Sequence, residues 1–168
     1  VSVLDHLRKQ EPLETVVDAE VGTRYDVPPP ARELKNCDPG KVLVVDDEAM
    51  LKEMFVTALT SAFPDRSVES AVDGRQAIDT FARGHHGLVI MDVSMPVMNG
   101  EQAFAEIKTA CERDGYRLPV FIFCTGFVVT DSLQAILNED PARSCLQKPM
   151  SITDLLEAVK KHLPPLAR

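Results

Sequence analysis

Carboxylate side chains follow two predicted strands of this sequence, at the point where each strand ends. Asp46 and Asp47 come directly after the apolar run at residues 42–45, and Asp92 follows a similar run at residues 88–91. Carboxylates gathered at one edge of a sheet repel one another strongly unless a cation lies among them. Because hard oxygen ligands with room for water and a phosphate oxygen suit Mg²⁺, this spacing predicts a magnesium site.

A hydroxyl and an ammonium group follow two further predicted strands. Thr125 comes after the run at residues 119–124, and Lys148 comes after a short strand at residues 143–147. The threonine can donate a hydrogen bond to one phosphoryl oxygen, and the lysine can neutralise another as a compact charge. Phosphoryl transfer needs mainly such positioning and charge neutralisation, so this set of residues predicts phosphoryl chemistry.

Each of these residues has a simpler interpretation on its own. An Asp-Asp pair after a strand commonly forms a turn or a helix N-cap, a strand-end Thr is commonly a cap, and a lone Lys is commonly a solvated charge. Here, however, all four positions fall at the carboxyl ends of predicted strands, which coincidence explains poorly. We therefore treat them as one candidate site.

Strand and helix signals alternate from Lys41 onward and predict the frame that positions these residues. Short apolar runs predict strands at residues 42–45, 68–72, 88–91, 119–124 and 143–147. Amphipathic stretches after each strand predict helices, the last of which begins at the capping sequence Ser151-x-x-Asp154. Repeated strand–helix units imply an α/β fold with a parallel sheet, helices on both faces and functional groups at the carboxyl edge.

The first forty residues differ from the rest of the chain. They contain Pro28-Pro29-Pro30 and the turn sequence Asp38-Pro39-Gly40, which predict an extension or linker over residues 1–40. Residues 41–168 are expected to form the α/β domain. The segment around His6 is only loosely similar to a phospho-accepting histidine segment, and so short and proline-containing a stretch cannot supply the long helices of such a domain. We expect His6 to lie on the surface.

Composition limits the classes of partner. The chain has 26 acidic and 18 basic residues, a formal charge of −8, and no Lys/Arg block of the kind that binds nucleic-acid backbones. It contains no apolar run of bilayer-spanning length, and its 4 cysteines show no CxxC spacing. We expect a cytoplasmic protein with reduced thiols and no direct contact with nucleic acid or membrane.

Two longer segments carry a resemblance to a known family. The sequences VLVVDDE at residues 42–48 and MDVSMPVMNG at residues 91–100, together with Thr125-Gly126 and Lys148-Pro149, closely resemble the CheY-like response-regulator receiver domain of two-component signalling. The resemblance covers residues 41–163. It implies a flavodoxin-like fold with five parallel strands in the order 2-1-3-4-5.

The resemblance also implies roles for the site residues. Asp92 would be the phospho-acceptor, and Mg²⁺ would be bound by Asp46, Asp47 and Asp92 with the backbone carbonyl of Ser94. The donor would be a histidine kinase or a His-phosphotransfer protein, and the output would pass through contacts with a downstream protein.

Two further roles concern the phosphoryl group itself. Thr125 would be the switch hydroxyl, and Lys148 would bind the phosphoryl group. The Lys148-Pro149 peptide is expected to be cis, as it commonly is in this family.

Three local features complete these expectations. Receivers usually carry an aromatic residue three positions before the lysine, and this chain has Cys145 there. Phe127 lies two positions after Thr125, where its bulk is expected to hinder a hydrolytic water and slow the loss of phosphate. His85-His86 is expected to be a solvated turn rather than a metal pair, because no further ligand is near in sequence.

A second, fainter resemblance concerns residues 16–30. The stretch from Val16 to Pro28 is similar to the closing hairpin of a histidine-kinase ATP-binding domain, which would make this chain the end of a hybrid sensor kinase. The sequence contains no glycine-rich ATP-binding boxes, so the chain is not itself expected to be the kinase. An unrelated extension is the alternative, and the residues leave both open.

Two rival functions fit these residues less well than the signalling receiver. A phosphohydrolase of the haloacid-dehalogenase type would carry Asp-x-Asp after the first strand, whereas this chain has adjacent Asp46-Asp47. A binding module that had lost phosphorylation would not need Asp92, Thr125 and Lys148 together. We therefore expect a signalling receiver that promotes its own phosphorylation and dephosphorylation, rather than an enzyme acting on other molecules.

Overall fold

The structure is a computed structural model, and it describes residues 14–17, 24–27, 33–163 and 166. Contacts divide the chain into two compact units, Val1–Glu33 and Leu34–Arg168. In the first unit, strand β1 (Glu14–Val17) pairs with strand β2 (Arg24–Val27) as an antiparallel two-stranded sheet. The boundary at residue 40 stays a prediction, and His6 lies outside the described residues.

The second unit alternates strands and helices. Its elements in chain order are β3 (Asp38–Val45), α1 (Ala49–Ala62), β4 (Ser67–Ala71), α2 (Gly74–Gly84), β5 (His86–Asp92), α3 (Gly100–Asp114), β6 (Val120–Thr125), α4 (Asp131–Asn138), β7 (Ser144–Gln147) and α5 (Ile152–His162). All neighbouring strands are parallel, in the order β4-β3-β5-β6-β7. Numbered within this unit the order is 2-1-3-4-5, so the predicted flavodoxin-like fold is confirmed.

Alternate residues of the central strands build two apolar cores on opposite faces of the sheet. Leu43 and Val89 belong to the core that contacts α2, α3 and α4. Val44 and Ile90 belong to the core that contacts α1 and α5. Burial on both faces explains why these strands appear in the sequence as continuous apolar runs. Among the described helices, none has the length and apolar character needed to cross a membrane.

Side-chain caps set the starts of two helices near the site, α3 and α5. Asn99 and Gln102 form a reciprocal capping box at the start of α3, and Ser151 and Asp154 form another at the start of α5. The second of these confirms the predicted start of the last helix. Because each cap fixes the first turn of its helix, it also fixes the length of the loop between strand and helix.

Strand β3 begins earlier than the sequence predicts. The sequence places the turn signal Asp38-Pro39-Gly40 in a linker, but these residues form the start of the strand, so the linker is wrong for them. Gly40 N does donate to Asp38 Oδ1 (2.8 Å), a local turn contact at the start of the strand. Asp38 N donates a hydrogen bond to His85 O (2.6 Å), and the register between β3 and β5 shifts between Asp38 and Val42. Proline has no N–H to donate, and an irregular stretch of the ladder is a place where none is required.

The His85-His86 pair is also placed differently from the prediction. His85 ends α2 in the left-handed region (φ 46°) and stacks on Tyr116, whereas His86 is the first residue of β5 and is fully buried. A Cβ at Gly84 would lie only 2.3 Å from His86 Cε1, so the glycine makes room for the ring. The solvated turn is therefore wrong for His86, because the strand starts one residue after the helix cap.

Candidate functional site

The predicted site residues lie together at the carboxyl edge of the five-stranded sheet. Asp46 and Asp47 follow β3, Asp92 ends β5, Thr125 ends β6 and Lys148 follows β7. Parallel strands bring their carboxyl ends to the same edge, which is why residues distant in sequence meet here. Lys148 N donates to Thr125 O (2.7 Å), so the pairing of β6 and β7 continues into the site, and the Lys148-Pro149 peptide is cis as expected.

Lys148 bridges the two buried acids of the site. Its Nζ lies 2.8 Å from Asp46 Oδ2 and 3.1 Å from Asp92 Oδ2. Asp46 is 2% exposed and Asp92 is 4% exposed, so both carboxylates have lost most of their water. A buried carboxylate needs a paired charge and hydrogen bonds to stay ionised, and the lysine supplies both.

Backbone N–H groups hold the other oxygen of each buried acid. Asp46 Oδ1 accepts a hydrogen bond from Glu48 N (2.8 Å), and Asp92 Oδ1 accepts one from Ser94 N (3.2 Å). Each donor lies two residues beyond its acceptor, which is the geometry of an Asx turn. The two carboxylates are thereby fixed in orientation by their own loops.

Burial and charge shift the pKa values of the central pair. Burial raises the pKa of the Asp92 carboxyl above its usual value, and the Lys148 charge and the Ser94 N–H offset this only in part. Burial by itself lowers the pKa of Lys148, but the hydrogen bond to Asp46 and the charges of Asp92 and Asp46 outweigh it, so that pKa is raised. Lys148 therefore stays an ammonium group, and Asp92 is a more basic carboxylate than an exposed aspartate.

The acidic cluster fits a hard cation. Asp46, Asp47 and Asp92 can each offer a carboxylate oxygen, and these oxygens lie within 4.8 Å of one another. Asp47 is exposed while the other two acids are buried, so the cluster opens to solvent on the side of Asp47. The single ammonium of Lys148 cannot balance all of these carboxylates, and a divalent ion such as Mg²⁺ would offset the excess charge.

The Thr125 hydroxyl is engaged within its own loop. It accepts a hydrogen bond from Phe127 N (3.1 Å) and donates to Phe127 O (3.3 Å), and the residue is 1% exposed. The structure thus brings the backbone of Thr125 to the site but does not bond its hydroxyl to Asp92.

Gly100 lies at the site in a role that the sequence did not predict. A Cβ on Gly100 would lie 2.3 Å from Asp92 O and 3.0 Å from Val93 Cα, and Gly100 N donates to Val93 O (3.0 Å). The first turn of α3 therefore rests directly on the backbone that carries Asp92. The Asn99-Gly100 pair gave a signal for a turn, but not for this close approach, which depends on residues brought together only by the fold.

Comparison with known proteins assigns this geometry to a family. The family model described as the response regulator receiver domain matches residues 42–160, a span that includes every acid of the site. This chain belongs to the response regulator receiver domain family. The function of that family is the acceptance of a phosphoryl group by an aspartate in two-component signalling.

Individual relatives of this receiver support the same assignment. Response regulator MprA of Mycolicibacterium vanbaalenii is 29% identical over 125 residues, which are 74% of this chain and 51% of the relative. A protein-glutamate methylesterase/protein-glutamine glutaminase of Nocardioides is 37% identical over 86 residues, which are 51% of this chain and 22% of the relative. This chain therefore spans about half the length of the first relative and less of the second.

A solved receiver structure shows the same fold. The structure of the chemotaxis protein CheY4 of Vibrio cholerae superposes with a TM-score of 0.61 at 27% identity, covering 74% of this chain and 98% of that one. The match agrees with the strand order found here.

Two residues distinguish this receiver from the usual pattern. Cys145 is half-buried beside the core under α4, and burial raises the pKa of its thiol. Phe127 is 70% exposed, so its contribution to the site comes from backbone groups that bind Thr125. The hindrance of a hydrolytic water by the Phe127 ring stays a prediction, as does the role of the Ser94 carbonyl in metal binding.

Proposed function

We propose that this receiver takes a phosphoryl group onto Asp92 from a phosphohistidine donor. The observation that carries the proposal is the buried Asp92 carboxylate, held 3.1 Å from Lys148 Nζ next to a second buried acid, Asp46. A buried acid with a raised pKa in such a cluster is costly for stability and is typical of a functional site.

The transfer step can be written from the residues of the chain. A carboxylate oxygen of Asp92 attacks phosphorus, an O–P bond forms as the P–N bond of the donor breaks, and the imidazole leaves with the electron pair of that bond. Lys148 already lies against Asp92 Oδ2, so it can follow the negative charge onto a phosphoryl oxygen. The Ser94 N–H holds Oδ1 and keeps the carboxylate oriented.

Asp46, Asp47 and Asp92, with the Ser94 carbonyl, are the residues proposed to hold Mg²⁺. When bound, the ion would supply positive charge that offsets the carboxylates and the incoming phosphoryl oxygens. The bond from Glu48 N to Asp46 Oδ1 keeps one of these ligands in place beforehand.

Thr125 is proposed as the residue that reports phosphorylation. Among the described residues its hydroxyl binds neutral backbone groups of Phe127, and a phosphoryl oxygen is a stronger, charged acceptor for the same proton. Movement of Thr125 would carry the following loop and the start of α4. Because Cys145 has no ring to swing inward, we propose that the signal leaves through α4 with little rearrangement at Cys145.

The proposed donor is a histidine kinase or a His-phosphotransfer protein, and the proposed output is a contact with a downstream protein in the cytoplasm. The antiparallel pairing of β1 with β2 supports the further proposal that the segment at residues 16–30 closes the ATP-binding domain of a preceding kinase. A parent chain that contains a kinase core directly upstream would support this origin, and a parent chain without one would overturn it.

Labelling by acetyl phosphate, a small-molecule donor, tests the proposed function. We expect labelling that requires Mg²⁺ or Mn²⁺, is absent in Asp92→Asn, and needs much higher metal concentration in Asp47→Ala. Asp79→Asn, an exposed aspartate on α2, is the matched control and should label like the wild type. Equal labelling of Asp92→Asn would contradict the assignment, and undiminished hydrolysis of acetyl phosphate by that variant would point to a phosphohydrolase.

A further inference from the structure

Glu101, the second residue of α3, binds the start of the neighbouring helix α4. Thr130 Oγ1 donates a hydrogen bond to Glu101 Oε1 (2.9 Å), and Ser132 Oγ donates to Glu101 Oε2. Thr130 is also the N-cap of α4, because its Oγ1 accepts from Leu133 N (3.1 Å). A carboxylate at this end of a helix is further favoured by the helix dipole.

The proton count favours bonds to the carboxylate over a bond between the two hydroxyls. Thr130 Oγ1 and Ser132 Oγ lie 3.0 Å apart, but each has a single proton. A charged acceptor makes the stronger hydrogen bond, so both protons go to Glu101. The Glu101 carboxylate therefore accepts two hydrogen bonds that link α3 to the start of α4.

Glu101 follows the loop after Asp92, and Thr130 ends the loop after Thr125, so this contact links the loops of the proposed acceptor and the proposed reporter. Glu101 directly follows Gly100, whose first helical turn rests on the backbone of Asp92. Thr130 ends the loop that starts at Thr125, the proposed reporter of phosphorylation. Any displacement of Thr125 that shifts the start of α4 relative to α3 must therefore stretch the bonds to Glu101.

The opposite end of α4 is held by a more buried contact. Arg143 Nη1 donates to Ile136 O (2.7 Å) and to Glu139 Oε2 (3.0 Å), and its guanidinium lies 4.9 Å from the centre of the Phe104 ring. The Arg143 side chain is 7% exposed, whereas Thr130 and Ser132 are both exposed. The hydrogen bonds at the start of α4 are thus easier to break than those at its end, while the buried Leu133 keeps its first turn on the core, so we take the end near Arg143 as the pivot of a small shift.

We propose that Glu101 is a positioning residue that holds the start of α4 against α3 until Asp92 is phosphorylated. This inference rests on the proposed function of Asp92 and Thr125. Since the bonds to Glu101 favour the unphosphorylated arrangement, removing them should shift the population toward the phosphorylated one. Charge-assisted but exposed hydrogen bonds are worth a modest amount, so the loss of Glu101 should raise the affinity for a phosphoryl analogue about two- to tenfold.

Beryllofluoride binding in the presence of Mg²⁺ tests this proposal, with affinity read from amide chemical shifts. Glu101→Ala should bind beryllofluoride more tightly than the wild type, and Glu101→Gln, which keeps one acceptor oxygen, should lie between them. Glu106→Ala is the matched control, because Glu106 lies on the same helix outside this hydrogen-bond cluster. The unliganded Glu101→Ala spectrum should already show Ser132 and Leu133 displaced toward their beryllofluoride-bound positions.

The outcomes separate this inference from the function on which it rests. If wild-type protein does not bind beryllofluoride, the proposed function fails. If wild type binds and Glu101→Ala binds equally or more weakly, the function stands and the positioning role of Glu101 is overturned. A contact that is merely structural would lower the melting temperature of Glu101→Ala without raising its affinity.

Discussion

Buried ionisable groups lie at the carboxyl edge of the five-stranded sheet, where the strands end, and at its amino edge, where they begin. The two edges differ in the partners that these groups have. At the carboxyl edge, Asp46 and Asp92 are each held by Lys148 and by one backbone N–H. At the amino edge, His86 is fully buried, and neither ring nitrogen makes a hydrogen bond within the described part of the chain. Its Nε2 lies 3.3 Å from Glu69 Oε1 without the geometry of a hydrogen bond.

The difference shows where this receiver retains buried charge. Burial lowers the pKa of His86, so the ring avoids the cost of a buried charge by staying neutral. Asp92 and Lys148 keep their charges because each compensates the other, and Asp92 still has a raised pKa. A cation or a phosphoryl group would interact with the ionised groups that the carboxyl edge retains, whereas the buried group at the amino edge is a neutral ring.

Removing Lys148 should have the largest effect on stability. Lys148→Met leaves two buried carboxylates without their shared ammonium, so we expect the free energy of unfolding at neutral pH to fall by about 3 kcal/mol. Urea unfolding without divalent ions measures the change. Lys160→Met, at an exposed position of α5, should change it by less than about 0.5 kcal/mol. An equal loss of unfolding free energy in the two variants would show that the contacts of Lys148 with Asp46 and Asp92 do not stabilise the fold.

A pair of glycine substitutions separates stability from function at the two edges. A Cβ at Gly100 would meet Asp92 O at 2.3 Å, and a Cβ at Gly87 would meet Asp38 O at 2.8 Å. Both Gly100→Ala and Gly87→Ala should therefore lower the free energy of unfolding by about 1–3 kcal/mol. Of these two variants only Gly100→Ala should also slow labelling by acetyl phosphate, because Gly100 rather than Gly87 lies against the backbone of Asp92, the proposed acceptor.

Gly126 supplies the control for these substitutions. A Cβ there would meet nothing within 4 Å, so Gly126→Ala should leave stability nearly unchanged. Equal slowing of labelling by Gly87→Ala and Gly100→Ala would remove the functional distinction between the two edges.

Much of this architecture could be predicted from the sequence. The apolar runs before Asp46 and Asp92 predict buried parallel strands, and parallel strands bring their ends to one edge, so the acids and Lys148 had to meet. The motif resemblance added the strand order, which the structure confirms. These features follow from local patterns together with a small set of topological rules.

Other features depend on contacts between distant residues and leave no local signal. Pro39 indicates a turn by itself, but the register shift between β3 and β5 allows it within a strand. His86 indicates a loop by its polarity, but the helix cap at His85 leaves no room for one. The contact of Gly100 with Asp92 and the hydrogen bond of Thr130 to Glu101 arise only when separate loops come together.

The pH dependence of stability should reveal the neutral histidine of the amino edge. The folded pKa of His86 lies below its ordinary value of 6.5, so its contribution to stability is complete above pH 6.5 and is lost as the pH falls through the lowered pKa. His86→Leu should flatten this part of the profile. Glu69 and Asp38 act to raise the pKa of His86, and Lys41 acts to lower it. Glu69→Gln should therefore lower this pKa further and increase the stability that is lost at acid pH. An unchanged slope in His86→Leu would contradict the account.

Asp92 should produce a pH dependence of stability of the opposite sign. Its folded pKa lies above the ordinary value of 3.8, so its contribution is present below that value and is lost as the pH rises through the raised pKa. Asp92→Asn should therefore be more stable than wild type at neutral pH when divalent ions are chelated. Asp79→Asn, measured in the same urea titration, should not be stabilised, and a destabilised Asp92→Asn would argue against a strained acceptor site.

Direct localisation of the phosphoryl group tests the central claim about Asp92. The protein would be incubated with acetyl phosphate and Mg²⁺ and then reduced with borohydride, which converts an aspartyl phosphate to homoserine, and its peptides would be identified by mass spectrometry. We expect homoserine at residue 92 only, and none when the metal is chelated. Homoserine at Asp46 or Asp47 instead, or a phosphoryl group retained on a histidine, would contradict the account.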